Sequence, residues 1–553
     1  MKRSLSTMIK TLSVLMPAIF IVLSGSIPYN VSAQESDPAD PKDKGYEALT
    51  YKMVKAQLTF LSSDWMEGRE AVSKGAFLAA DYIASIFEMT GLAPAGDQSP
   101  TGMRSYFQRV PFIRTTPGDV QSFSVTTNSG NARTTNSYLY NIDYTLQNRD
   151  MSKNISAPVV FIGYGLVDEV NGYDELKGVD VKNKIVVRLP GFPGHRDTTS
   201  VAYKKFKPQS YVSSAIPVRG YRDQRVAAAN KILEEKGALA IITISTDNVA
   251  FTTPLTTNTN FYPNQRLTPT TGGRLSIYTY DLNNAPLSIT ISQRLAYDIL
   301  GTTIDLTVFE KKAERTMKPQ SVLLQSKNLE IVSTVKSEML TGVNVCAMIE
   351  GKDKSKTVVI GAHYDHMGTN GTQIWNGTDD NASGTVAVMA LGRAFVASGI
   401  KPECNIIFAA WTAEEKGLLG SRYFVDKFPD IDEVKMNMNF DMIARDAADD
   451  VDKNRVEYTY ADAYPQWLES CKSNIEKYKI PIVLRDSPQD IGFSSGTDFA
   501  SFSVAGRPFV SWFTGFHPDY HQHTDDVSKV NWTKFFYVVR LSYLNAWDII
   551  NEL

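Results

Sequence analysis

Three short apolar runs in the second half of the chain each finish on side chains that can bind or move charge. Thr357-Val-Val-Ile-Gly-Ala runs into His363-Tyr364-Asp365, and Asn405-Ile-Ile-Phe-Ala-Ala-Trp leads to Glu414-Glu415. Lys435-Met-Asn-Met-Asn-Phe stops at Asp441, while Asp379-Asp380 lies in the stretch after His363, just before a helical pattern. Carboxylates gathered at the mouth of an apolar core repel one another and lose hydration, unless a divalent cation neutralises them. Imidazole together with carboxylate is a donor set that suits zinc, whereas calcium sites are built from oxygen ligands. Further imidazoles crowd the loop Phe516-His-Pro-Asp-Tyr-His-Gln-His-Thr-Asp-Asp, which holds His517, His521 and His523.

Each feature alone has a plain structural explanation. Glu414-Glu415 could simply open a helix, where carboxylates favour the dipole. Asp379-Asp380 could be a helix cap, and a lone His363 a satisfied structural histidine. What speaks against these explanations is position, because every one of the three apolar runs would need its own coincidence.

The elements that must position these groups are strands alternating with helices. The apolar runs are continuous, as in strands buried on both faces, and helical patterns follow at Gly384 to Ala397 and from about Leu418. This predicts an α/β fold with a mostly parallel central sheet flanked by helices, whose ligands bind at the carboxyl ends of the strands. Towards the amino end, Tyr46 to about Gly96 reads as helical, with Glu67-Gly68-Arg69 as a turn-forming break. Residues Gln34 to Lys44 read as a disordered lead-in. Between residues 125 and 325 short β-type runs dominate, with one helix around Arg222 to Lys236, which predicts a separate and mainly β domain.

At 553 residues the chain is long enough for two folded units. Its formal net charge of -3 and the lack of Lys/Arg runs give no reason to expect a nucleic acid or an anionic membrane surface as partner. Lys2, Arg3 and Lys10 ahead of the apolar stretch Leu12 to Leu23, then Val31-Ser32-Ala33, read as a signal peptide over residues 1–33. The apolar stretch is short for a bilayer span, so an exported protein without stable membrane insertion is expected, periplasmic or extracellular. The three cysteines, Cys346, Cys404 and Cys471, lack CxxC spacing and read as buried small hydrophobes, with one disulfide left open.

Five segments together resemble the M28 metallopeptidases, a family of aminopeptidases and glutamate carboxypeptidases. They are Gly361-Ala-His-Tyr-Asp-His, Gly377-Thr-Asp-Asp-Asn-Ala-Ser-Gly, Thr412-Ala-Glu-Glu-Lys-Gly-Leu-Leu-Gly-Ser-Arg, Asn439-Phe-Asp-Met-Ile and Asp519-Tyr-His. They occur in family order. Glu67-Gly-Arg and the helix after it resemble the first part of the same catalytic domain. Gly163-Tyr-Gly, Tyr173, Gly178-Val-Asp and Lys184-Ile-Val-Val resemble a protease-associated domain inserted into it. The resemblance implies a zinc exopeptidase fold of the phosphorylase/hydrolase-like type. Its catalytic domain would comprise residues 34–124 and 326–553, interrupted by a protease-associated-like domain at 125–325.

Carried over by residue, the resemblance implies two zinc ions per chain. Asp380 would bridge them, His363 and Asp441 would complete one site, and Glu415 and His521 the other. Asp379 would lie at the surface or support a ligand from behind. Asp365 would accept the other ring N–H of His363, and the Asp380–Asn381 peptide would be cis. Glu414 would be the general base, taking a proton from a metal-bound water and returning it to the leaving amine. His523 stands where the family has proline, which leaves open a swap with His521 or an extra contact. His366 and His195 read as non-ligands, the former hydrogen-bonding near the site. Ser494-Ser-Gly-Thr-Asp498-Phe resembles a loop lining the substrate pocket, although by itself it is a Gly/Ser turn.

The function implied is hydrolysis of peptides, with an aminopeptidase preferred over a glutamate-carboxypeptidase-like enzyme. The latter needs a cation for the substrate carboxylate, for which Arg422 and Arg445 are candidates. A glutaminyl cyclase ranks third, and a receptor-like ectodomain without catalysis is disfavoured by the full set of acids and imidazoles.

Overall fold

In the computed structural model, residues 40–146, 152–207, 224–245, 274–277 and 285–553 are described. The expected signal peptide, residues 1–33, lies outside them. Four strands that run parallel to their neighbours form the middle of the ligand-bearing half: Cys404–Trp411, Asp353–His363, Val434–Phe440 and Phe509–Phe513. Outside them, Arg455–Ala461 pairs antiparallel to Phe509–Phe513, and Val322–Ile349 pairs antiparallel to Cys404–Trp411. The sheet is therefore mixed, with a parallel centre.

Alternation along these strands explains why they are apolar throughout. Val358, Ile360 and Ala362 share one core with Ile406, Phe408, Met436, Met438 and the helices Tyr51–Leu61, Lys74–Thr90, Gly384–Ser398 and Trp532–Glu552. Val359, Ile407, Ala409 and Trp411 face a second core with Phe424 and Phe502. Both faces are dry, so both sets of alternating positions must be apolar.

The lead-in expectation needs correction, since Pro41–Ala48 is a helix. Its polar composition conceals the contacts that order it. Tyr46 is buried, Lys42 bonds Asn474, and the Tyr543 hydroxyl donates to the Lys42 carbonyl. Gly45 sits so close to Tyr543 that a Cβ would fall 1.9 Å from its hydroxyl oxygen. Pro at the first helical position suits this start.

The described part of residues 125–325 is likewise α/β rather than mainly β. Lys153–Phe161, Ile185–Arg188, Ala240–Ile244 and Leu287–Ile291 pair in parallel. One face packs on the helices Val201–Phe206, Gln293–Leu300 and Leu306–Thr316, and the other on Gln224–Glu235. Three of these helices have at most eleven residues, each opened by a Ser or Asp cap, so their apolar positions are too few to announce a helix period. Two long strands, Phe107–Ser129 and Val322–Ile349, run across both expected domain boundaries as an antiparallel pair. Val322–Ile349 also pairs with Lys153–Phe161, so one sheet continues through both regions. Among the described residues no helix is long and apolar enough to cross a membrane.

Candidate metal centre

Because the four central strands point the same way, their carboxyl ends meet at one edge. His363 is the last residue of its strand, and Asp441 directly follows Phe440. Glu414 and Glu415 follow Trp411 by three and four residues. The turn Thr378–Ser383 brings Asp380 to the same place. Asn381 fixes that turn: its side-chain nitrogen donates to the Phe440 carbonyl and its oxygen accepts from Gly384 N. The Asp380–Asn381 peptide is cis.

The side chains form two lobes that share Asp380. In the first, His363 Nε2 lies 3.5 Å from Asp380 Oδ1, 3.5 Å from Asp441 Oδ1 and 3.8 Å from Glu414 Oε2. In the second, His521 Nε2 lies 2.9 Å from Asp380 Oδ2 and 3.1 Å from Glu415 Oε1. His366 Nδ1 stands 3.0 Å from the same Glu415 oxygen. All five expected ligands thus converge, with Glu414 beside the first lobe and His366 beside the second. His523 is exposed and turned towards Gln373 and Trp375, so His521 occupies the inner position alone. His195 lies in the 125–325 region, its Nδ1 against the Phe192 carbonyl.

Asp365 does not act as expected. The His363 Nδ1 atom is 3.2 Å from the Asp365 main-chain carbonyl and 3.9 Å from its carboxylate. The carboxylate instead accepts the Glu414 amide, at 3.0 Å. Asp365 therefore orients His363 through its backbone and the Glu414 turn through its side chain. Asp379 is fully buried, which decides between the two places considered for it. It accepts from Ala444 N, and His517 Nε2 lies 3.1 Å from its carboxylate.

One further acid was not singled out from the sequence, and another was read only as part of a pocket-lining loop. Asp525, four residues beyond His521, accepts the backbone N–H of both Asp379 and Asp380. It thereby ties the His521 loop to the Asp380 turn, and only its spacing from His521 could have drawn attention to it. Asp498, the residue before the helix Phe499–Val504, is fully buried, and burial pushes its carboxyl up to about 7.

Electrostatics show what this gathering costs. Burial first, then the charge of Glu415, pushes the Asp380 carboxyl well above its ordinary range. Glu414 is raised in the same way. Burial alone would lower the His363 imidazole, yet Glu414, Asp441 and Asp380 raise it well above its ordinary value. Nor can hydrogen bonds resolve the crowding, because a single ring N–H of His521 faces two carboxylates and that of His363 faces three. A dication between the donors would. Ligand atoms at about 2.0–2.1 Å from a tetrahedral zinc lie about 3.3 Å apart, and the spacings here bracket that figure. The two groups His363/Glu414/Asp441 and His366/Asp380/Glu415 are each close enough to hold a metal ion.

Comparison with known proteins agrees with this geometry. The model of peptidase family M28 matches residues 344–542. Leupeptin-inactivating enzyme 1 of Streptomyces exfoliatus is 36% identical over 186 residues, covering 33% of this chain and 38% of that protein. Leucine aminopeptidase 2 of Trichophyton equinum is 30% identical over 200 residues, covering 35% of this chain and 38% of that protein. The match thus spans well under half of either relative. Among solved structures, an aminopeptidase from Aneurinibacillus sp. strain AM-1 superposes with a TM-score of 0.53 at 15% identity, over 92% of this chain and 95% of that one. Residues 344–542, which hold every candidate ligand, are therefore homologous to peptidase family M28, on a fold shared with that aminopeptidase.

Proposed function

We propose that this chain is an exported di-zinc aminopeptidase acting on short peptides. The observation that carries the reading is the pair of lobes sharing Asp380 at the carboxyl ends of parallel strands, within a segment homologous to peptidase family M28. His363 and Asp441 would hold one zinc, Glu415 and His521 the other, and Asp380 both, with His366 beside Glu415. When bound, the zinc pair would make water acidic enough to attack near neutral pH and would polarise the scissile carbonyl.

This chain's own residues do the rest. Glu414, whose Oε2 lies 3.8 Å from His363 Nε2 beside the first lobe, takes the proton from the attacking water and returns it to the departing amine. Asp365 holds the Glu414 amide and so aims that turn. A carboxypeptidase is less well supported, because Arg445 is already paired with Asp519 at 2.8 Å and Asp525 at 3.5 Å, and Arg422 is exposed on Leu419–Lys427. We take residues 125–325 as a protease-associated-like insertion that limits access to the site, and residues 1–33 as the export signal.

The test is release of free amino acids from short peptides blocked or free at either end, with and without a zinc chelator, beside Glu414→Gln. Chelator-sensitive cleavage that needs a free amino end is expected, falling by about 10²–10⁴-fold in the variant. Cleavage that needs a free carboxyl end would move the assignment to a carboxypeptidase. No hydrolysis by folded, zinc-loaded protein would reject both.

A further inference from the structure

Glu67-Gly68-Arg69 lies far ahead of every ligand in the chain, the first of which is His363, and the proposed reaction gives it no part. Its backbone is nonetheless specialised: φ is positive at all three residues, 48° at Glu67, 65° at Gly68 and 49° at Arg69. At Gly68 a Cβ would fall 2.3 Å from the Gly368 carbonyl oxygen and 2.6 Å from that of Trp375, so the segment lies hard against the chain that leads into the Asp380 turn. Asn376 Nδ2 adds a bond to Asp64 from the same stretch.

This bend turns Arg69 inward, where it has no exposed surface. Its donors go to backbone carbonyls. Nε bonds Tyr364 O at 2.7 Å, Nη1 bonds Leu61 O at 2.6 Å and Asn376 O at 2.7 Å, and Nη2 bonds Gly377 O at 2.8 Å. The Arg69 carbonyl in turn accepts His366 N at 3.1 Å. Tyr364 sits between His363 and Asp365, and Asn376-Gly377 lead to Asp379-Asp380. One planar group therefore grips two of the three segments that carry ligands of the first lobe, those of His363 and Asp380.

Burial of a guanidinium among carbonyls would be costly in isolation. The nearby charges of Asp365, Asp380, Asp525 and Glu415 oppose that cost, and burial lowers the group only to about 10. It stays charged at neutral pH. A rigid fork suits four diverging carbonyls in a way that the single nitrogen of lysine does not.

We infer that Arg69 is a positioning residue for the metal centre, holding the His363 strand end and the Asp380 turn at the spacing that two metals require. The inference rests on the two-zinc reading. Its test uses the full mature chain as wild type, Arg69→Met and Arg69→Lys, with three readouts: zinc competition against a chromophoric chelator, thermal unfolding with and without zinc, and kcat and KM separately.

In Arg69→Met we expect zinc affinity to fall by about 10–100-fold, the range seen when groups supporting metal ligands are removed. The rise in unfolding temperature on adding zinc shrinks, and kcat falls with KM little changed. Arg69→Lys lies between the two. A purely structural role would lower the unfolding temperature equally with and without zinc, leaving affinity within about twofold of wild type. That result overturns the inference. Should Arg69→Met not fold, Arg69→Lys decides alone by the same criterion. A wild-type chain that takes up no zinc rejects the two-zinc reading itself, whereas zinc-loaded wild type with unaffected variants rejects only the part given to Arg69.

Discussion

Among the described residues there are two sets of parallel strands, and only one of them ends in groups that could hold a metal. Asp353–His363, Cys404–Trp411, Val434–Phe440 and Phe509–Phe513 are buried on both faces and covered by helices. Ile185–Arg188, Ala240–Ile244, Leu287–Ile291 and the last three residues of Lys153–Phe161 are likewise packed between helices. The first set ends in or leads to His363, Glu414-Glu415, Asp441 and His521, whereas the second runs into Ile162-Gly163, Leu189-Pro190, Ser245 and Ser292. The crevice at the strand ends is a place, and residue type decides its use.

Their buried acids differ as well. Glu175 accepts from Tyr164 N, Leu166 N and the Tyr173 hydroxyl, so the protein itself satisfies it. Asp380 and Glu414 instead face imidazoles and other carboxylates, an arrangement that a dication resolves and hydrogen bonds do not. A buried acid can be answered by donors or by a metal: Glu175, like Asp379 and Asp525 in the ligand-bearing half, has donors, whereas the acids around Asp380 call for a metal.

The strongest way to break this contrast is Asp380→Asn. Zinc affinity should fall by more than about 100-fold, beyond the loss from disturbing a supporting group, and peptide cleavage should vanish with it. Without zinc, the same variant should unfold at a higher temperature than wild type at neutral pH. The folded state raises this carboxyl, which costs stability above its unfolded pKa, and the amide removes that cost. Retention of both zinc ions by Asp380→Asn, measured by metal analysis, would end the bridging assignment.

A smaller effect is expected at Glu175. Burial pushes its carboxyl from an ordinary 4.5 up to about 8, so the folded chain keeps a proton that the unfolded chain has lost. Stability from this group therefore falls as pH rises between those values and is level above them. Glu175→Gln can keep the same three contacts. Its unfolding temperature should match wild type at about pH 4 and exceed it progressively towards about pH 8. A constant difference across that range would show that Glu175 does not titrate as inferred.

The smallest effect is a null one. Cys346, Cys404 and Cys471 are free and buried, all in the ligand-bearing half. A reductant should leave the unfolding temperature unchanged, and a shift would show that one half is cross-linked and the other is not.

Much of the ligand-bearing half was legible beforehand. The runs at Thr357, Asn405 and Lys435 are strands, and the helix read from Gly384 to Ala397 spans Gly384–Ser398. Continuous apolar strands leave a strong local signal, and charged residues at their ends stand out against it. Of the helices in residues 125–325, that read around Arg222 to Lys236 spans Gln224–Glu235, but Val201–Phe206, Gln293–Leu300 and Leu306–Thr316 were not legible, nor was Pro41–Ala48, since short or polar segments owe their order to distant partners such as Tyr543.

Sequence alone determined which residue types end the strands, and hence that imidazoles and carboxylates would meet at one sheet edge. Tertiary structure decided how they are held there. Asp365 supports His363 through its carbonyl, Asp525 clamps the Asp380 turn, and Arg69 reaches Tyr364 and Gly377 from 295 and 308 residues away. Local pattern records burial and periodicity over a few residues, while a hydrogen bond between distant backbone groups leaves no period in the sequence at all.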